Sequence, residues 1–157
     1  MSEKTEITTG LVQKISLSIE QKNSAKLHNL ITDLHIADIA EVLENLSVSQ
    51  AQFLYHIIDE EKSAEILVEL DDDLREDLLS ELSPKEIAEE VIDKLESDDA
   101  ADVISELSEE KQEEVLSHIE DKEHASDISD LLTYPEDTAG GLMAKELIKV
   151  NENWNTL

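Results

Sequence analysis

The sequence predicts an all-α protein, a right-handed α-solenoid of short antiparallel helices laid down on a beat of about twelve residues. Two observations carry this. A large aliphatic residue recurs at Leu34, Leu46, Ile58, Leu70, Leu82, Leu95, Leu107, Ile119 and Leu131, with one interval of thirteen between Leu82 and Leu95. Three residues before each stands another apolar side chain: Ile31, Leu43, Tyr55, Leu67, Leu79, Ile92, Ile104, Leu116 and Ile128. Spacings of three and four are helical. Twelve residues, however, turn a helix by about 1200°, so an unbroken helix would rotate its apolar stripe by about 120° per beat. No single face could be buried. The chain must break and turn between beats.

Taken in order, the first element is a longer capping helix, suggested by the i,i+4 ladder Ile7, Leu11, Ile15 and Ile19. The short units follow. Ser47, Asp59, Asp71, Ser83 and Ser108 stand just after a beat residue, where an N-cap accepts bonds from the orphan amides of the next helix. Ser47 with Gln50 and Ser83 with Glu86 read as capping boxes, and Pro84 sits at a first-turn position that tolerates proline. Each unit is about nine helical residues with a connection of two or three, which sets neighbours antiparallel. Pairs of units make a repeat of about 24 residues, each burying its face against the next. The beat ends near residue 133, dividing the chain into a helical domain, 1–133, and a different segment, 134–157.

Composition narrows the function classes. Only four residues are aromatic (Phe53, Tyr55, Tyr134, Trp154), so the core is nearly all aliphatic. There is no cysteine, hence no disulfide or zinc-thiolate site. No apolar run approaches the 18 or so residues of a membrane span, and no signal peptide is evident, so the chain is expected to be soluble and cytosolic. Its net charge of −28 repels phosphate backbones and excludes nucleic acid as a partner, while it attracts cations or basic proteins. Three glycines make no phosphate-binding loop, and the five histidines never occur at i,i+4. No constellation supports catalysis, and an enzyme is not expected.

Between Lys94 and Lys111 there are seven acids and no base. A solvated solenoid face accounts for most of them. In Ser97-Asp98-Asp99-Ala100-Ala101-Asp102, the stripe through Ala100, Val103, Ile104 and Leu107 leaves Asp98 and Asp102 pointing outward together. Like charges at i,i+4 repel unless a cation lies between them. Asp98 and Asp99 also complement the positive helix N-terminus, which leaves Asp102 unexplained. Glu65 likewise faces away from the stripe of Ile66, Leu67 and Leu70. Outward carboxylates of this kind suit Mg2+, a hard cation that takes oxygen ligands.

The C-terminal run Tyr134-Pro135-Glu136-Asp137-Thr138-Ala139-Gly140-Gly141-Leu142-Met143 abandons the beat, and Leu147 to Val150 is strand-like. With Ala37-Asp38-Ile39-Ala40 and Asp98-Asp99-Ala100-Ala101-Asp102, it resembles the cytosolic N-terminal region of the MgtE family of magnesium transporters. The resemblance covers Leu34 to the C-terminus, and its specific part is the junction leading into a pair of cystathionine-β-synthase (CBS) domains. Glu96 and Ser97 depart from the family pattern, which often has a hydrophobic or prolyl pair there.

The resemblance implies a piece of a longer protein: a superhelix, two CBS domains, a connecting helix and a homodimeric membrane pore. The chain would lie on the cytoplasmic side of the membrane, and would be a monomer or a dimer on its own. Mg2+ would bind between the acidic helical domain and the CBS pair, closing the pore when Mg2+ is abundant and releasing the domain when it is scarce. The implied ligands are Glu65, Asp98 and Asp102, with the Gly141 main chain and Asp99 as lesser candidates. Residues beyond Tyr134 are expected to be loosely held. The competing reading is a free-standing acidic solenoid adaptor for a basic or amphipathic protein.

Overall fold

The structure, a computed structural model, describes residues 9–135 and 138–146. Ile7, Glu136, Asp137, the strand-like stretch 147–150 and Trp154 lie outside the described residues. The chain forms α1 (Thr9–Glu20), α2 (Ser24–Ile31), α3 (Ile36–Glu44), α4 (Val48–Tyr55), α5 (Glu60–Glu69), α6 (Asp72–Ser80) and α7 (Pro84–Glu86). After α7 the helical path continues as a π-turn (Ile87–Val91) and a 3-10 turn (Ile92–Lys94), followed by α8 (Ser97–Ser105), α9 (Glu109–His118) and α10 (Lys122–Leu131). Among the described residues there are helices and no strand, as the periodicity predicts.

The twelve-residue beat has a specific backbone meaning. Its residues sit at or just past the helix ends, and seven of the nine, Leu34 to Leu107, close the last turn with a 3-10-type bond to the apolar residue three before. The Leu34 N–H donates to Ile31 O at 3.1 Å, Leu46 to Leu43 at 3.1 Å, and Ile58 to Tyr55 at 3.1 Å. The same bond joins Leu70 to Leu67, Leu82 to Leu79, Leu95 to Ile92 and Leu107 to Ile104. Such bonds satisfy carbonyls that a helix end leaves without partners. The side chains then plug the turns: Ile58, Leu70, Leu82, Leu95, Ile119 and Leu131 are all buried.

Burial outranks capping in deciding where helices form. A fully buried Leu or Ile contributes roughly 1.5–3 kcal/mol, against about 1 kcal/mol for a good N-cap. Asp71 accepts from Leu74 N–H at 3.0 Å, and Ser83 makes its reciprocal capping box with Glu86. Asp59 occupies the N-cap of α5 but makes no side-chain cap bond. That helix forms anyway, because Ala64, Ile66 and Leu67 are completely buried.

The thirteenth residue between Leu82 and Leu95 is absorbed by the π-turn. A π-turn adds one residue to a helical turn, and here the N–H of Ile92 reaches back to Ile87 O as well as Ala88 O. Ile87, Ala88, Val91 and Ile92 are all essentially inaccessible. The insertion thus widens the apolar face of this unit and leaves the following beat in phase.

Stacking runs between alternate helices: α3 on α5, α4 on α6, α7 on α9, and α8 on α10, with α5 also against the π-turn. Each unit therefore buries its face only on near neighbours, as in a solenoid. The open end is sealed by α1, the longest α-helix among the described residues, which packs on α2 and α4. Its Ile15 and Ile19 are buried, and Leu11 is partly so. It ends in a Schellman turn: Asn23 N–H donates to Ser18 O, Lys22 N–H donates to Ile19 O, and Lys22 holds φ +50°.

Arg75 ties the middle of the stack together. It is 11% exposed at the side chain and donates to the carbonyls of Leu67 at 3.0 Å, Val68 at 3.3 Å and Leu70, where α5 ends. Its other end pairs with Glu106, just beyond α8. A planar guanidinium with five donors suits this fan of acceptors, which a lysine could not reproduce.

Candidate functional site

The site is built at the start of α8. Apolar contact holds this helix in place: Ala100, Val103 and Ile104 are fully buried, and α10 packs against it. Glu96 stands at the N-cap in extended conformation but makes no side-chain cap bond. The cap is supplied from the far end of the chain. Ser97 N–H donates to Glu146 Oε1 at 2.8 Å, and the buried Ser97 hydroxyl donates to Glu146 Oε2 at 3.0 Å. The same hydroxyl accepts from Lys145 N–H at 3.0 Å. Lys145 Nζ pairs with Asp130 and lies 3.9 Å from Asp127, both on α10.

The expectation that the segment beyond Tyr134 is loosely held is therefore corrected for 138–146. It folds back as a turn, with Leu142 N–H on Thr138 O, and its Lys145 and Glu146 are anchored on α8 and α10. The physical reason is an unsatisfied helix N-terminus that a carboxylate can complement. Gly140 helps the turn: a Cβ there would come within 2.6 Å of Tyr134 Cδ1, so the ring lies directly on the glycine.

Three carboxylates converge at this point. Glu96, Asp98 and Glu146 offer oxygens that all lie within 4.8 Å of one another. Asp98 Oδ1 is buried and has no hydrogen-bond partner, a costly state for a carboxylate oxygen. Beside the cluster a shallow cleft is lined by Asp93, Lys94, Leu95, Glu96, Glu120, Asp121, His124 and Glu146. The donor set is entirely hard oxygen, which fits Mg2+ or Ca2+ and not a soft metal.

Electrostatics around the cluster reflect crowding. Burial raises the Asp99 carboxyl above its ordinary value, and the charges of Asp98, Glu96 and Glu69 raise it further. Burial also raises Asp93, with Glu120 and Glu89 adding to it against the opposing charges of His124 and Lys94. For Glu146, burial pushes upward, but bonds from its own amide, the Ser97 N–H and the Ser97 hydroxyl, with the His124 charge, outweigh it and hold the carboxyl below its ordinary value. His124 Nδ1 is 3.9 Å from Glu146, while its Nε2 lies 3.3 Å from Ile92 O.

The sequence-derived candidates distribute as follows. Asp98 belongs to the cluster, while Glu65, Asp99 and Asp102 stand outside that group. Glu65 is exposed on α5, and Asp102 is partly exposed one turn beyond Asp98 on α8. Asp98 does not simply project outward, since one of its oxygens is buried. Gly141 is buried and its N–H donates to Thr138 Oγ1 at 3.3 Å. Sequence reasoning assigned no ligand role to Glu96 and did not single out Glu146. Glu96 lay in the acid-rich run, but no local pattern signals that Glu146 returns to it.

Fold and carboxylates together define an acidic helical-repeat domain with a cluster of oxygen donors at one helix start. A family profile described as the MgtE intracellular N domain matches residues 34–137, and the chain belongs to that family. Two solved structures share its fold. One, the soluble part of a magnesium transporter, superposes with a TM-score of 0.74 at 23% identity, over 88% of this chain and 54% of that one. The other, the cytosolic domain of the Mg2+ channel MgtE in complex with ATP, gives 0.72 at 21% identity, over 85% and 54%. The chain thus spans about half the length of either. No curated protein matches it. Among the described residues, no helix is long and apolar enough to cross a membrane.

Proposed function

We propose that this chain is the Mg2+-sensing regulatory domain of a magnesium transporter or channel, working on the cytoplasmic side of the membrane. In this reading residues 1–133 are the sensing domain, and 134–157 lead into CBS domains of the same protein, which assembles as a homodimer around a membrane pore. Mg2+ fills the interface between acidic faces that otherwise repel, and the docked state holds the pore closed. Asp98 and Asp102 on α8 and Glu65 on α5 supply carboxylates to that interface, with the Gly141 main chain and Asp99 as further contributors. Ion binding favours the docked state only by its differential affinity for it.

The observation that carries the reading is Asp98, in a member of this family: its carboxylate belongs to a cluster of hard oxygen donors, and its Oδ1 is buried without a partner. A carboxylate in that state has an unmet need for a cation or donor, and a chain of net charge −28 draws cations to it. The test is Mg2+ uptake by the complete transporter with Asp98→Asn and Asp102→Asn. The reading expects uptake to continue at Mg2+ concentrations that shut the wild type. Shut-off at an unchanged concentration would refute it.

A further inference from the structure

We infer that the outer face of α1 is a self-association surface, through which two copies of this chain pair around a two-fold axis. The inference is independent of the metal reading above.

α1 closes one end of the solenoid, and a terminal element of a repeat array normally turns a polar face to water. This one does not. Leu17 is 54% exposed, and Val12 is only partly buried. Beside them runs an open groove of about 410 Å3, walled by Val12, Gln13, Ser16 and Leu17 of α1 and by Asn45, Leu46 and Gln50 where α3 passes into α4. Gln50 Nε2 donates to Ser16 Oγ at 2.7 Å, which staples α1 to α4 and gives the groove a fixed shape.

Charge and shape together select the occupant. None of the seven wall residues is charged, in a chain of 40 acids and 12 bases. Across α1 and α2, Lys14, Lys22 and Lys26 outnumber a single acid, Glu20. A basic partner gains nothing here, since acids elsewhere on the chain attract it more strongly. Two copies of net charge −28 repel wherever acidic surfaces meet, whereas this end brings them together with little acid between them. Leu17 both walls the groove and projects beside it, so knob and hole lie on one patch. That is the condition for an isologous contact, which closes at two copies. Gln13 is exposed on the rim, and an amide that both donates and accepts can bond its own equivalent across the axis.

A single helix pair is at the low end of interface size, so the dimer is weak and reversible. Salt gives it a signature. The net charges of two copies oppose pairing, so screening by NaCl tightens it. A head-to-tail contact, with the lysines of α1 and α2 on another copy's acids, would instead weaken in salt and grow beyond two copies.

The test is sedimentation equilibrium of this chain at low and high NaCl without divalent cations. A monomer–dimer equilibrium is expected, with an association constant about tenfold higher at high NaCl. Leu17→Glu places a charge on each side of the axis and should abolish the dimer, and Gln13→Glu should weaken it about tenfold. Leu142→Glu, the same change at an exposed leucine of the C-terminal segment, should leave it intact. All three positions are exposed, so helix content by circular dichroism should match the wild type. Equal loss in Leu142→Glu would overturn the inference, as would pairing that weakens in salt or continues past two copies. A strict monomer at every salt concentration would also overturn it, and would leave the groove to a different, uncharged partner.

Discussion

Glu146 caps Ser97 across 49 residues of sequence, its two carboxylate oxygens taking the Ser97 backbone N–H at 2.8 Å and hydroxyl at 3.0 Å. The capping oxygen that a helix usually finds in its own N-cap residue comes here from the segment beyond α10. Glu96, which holds the N-cap position, leaves the role open. One carboxylate therefore links the start of α8, the exit of the chain and the acidic cluster at Asp98.

Ser97→Ala should destabilise the chain by about 1–2 kcal/mol, because the buried hydroxyl both donates to Glu146 and accepts from Lys145 N–H. Thermal melting should register this as a drop of a few degrees, and exchange of the Lys145 amide should accelerate more than that of core amides in α8. An unchanged melting temperature would mean that water replaces the hydroxyl without loss.

Acid should act in two stages of opposite sign. Asp99 has a raised carboxyl, chiefly from burial, so its ionised form is strained and protonation relieves the fold as pH falls through that raised value. Glu146 has a lowered one, so its contribution is complete above its ordinary value and is lost only as pH falls through the lowered value. Melting temperature should therefore rise on mild acidification before it declines, with loss of Lys145 protection confined to the declining limb. A monotonic fall from neutrality would contradict this assignment.

Lys22→Gly should stabilise the chain. Lys22 is a non-glycine residue at positive φ, in the Schellman position where glycine carries no Cβ penalty. A left-handed lysine costs roughly 1–2 kcal/mol, part of which glycine returns as unfolded-state entropy. Denaturant unfolding should show a net gain of about 0.5–1 kcal/mol with an unchanged slope. A lower midpoint would mean that the turn tolerates the side chain without strain.

Arg75→Lys should be nearly as harmful as Arg75→Ala, at about 2–3 kcal/mol, because an ammonium cannot span the carbonyls that end α5 and also reach Glu106. Denaturant midpoints for the two variants give the comparison. A lysine variant close to wild type would mean that charge alone, and not the guanidinium fork, holds the stack.

Much of the fold was legible because solenoid packing forces a period onto the sequence. Leu34 and the six beat residues after it, up to Leu107, close helix ends by one repeated bond, so there the pattern and the structure are the same fact seen twice. Even the irregularity was visible as the thirteen-residue interval, although composition alone could not say that a π-turn at Ile87–Val91 absorbs it. The candidate site was legible only in part. Asp98 stood out through local spacing with Asp102, whereas the partnership of Asp98 with Glu96 and Glu146 depends on a fold-back that no helical period encodes. Asp59 shows the limit of local rules, since a favourable N-cap residue makes no cap bond where burial already secures the helix.

The most direct test of the central claim, that Asp98 and its neighbours bind Mg2+ as a discrete site, is an NMR titration of this chain with MgCl2. Two charge-matched double variants serve as comparison: Asp98→Asn with Asp102→Asn, and Glu109→Gln with Glu110→Gln at exposed positions at the start of α9. The account predicts saturable shifts of the amides around Asp98 in the millimolar range, weak because exposed carboxylates are screened by water and salt. Those shifts should survive in the glutamate double variant and vanish in the aspartate one. Equal weakening by both pairs would show that bulk charge attracts the ion, and would contradict a discrete site at Asp98.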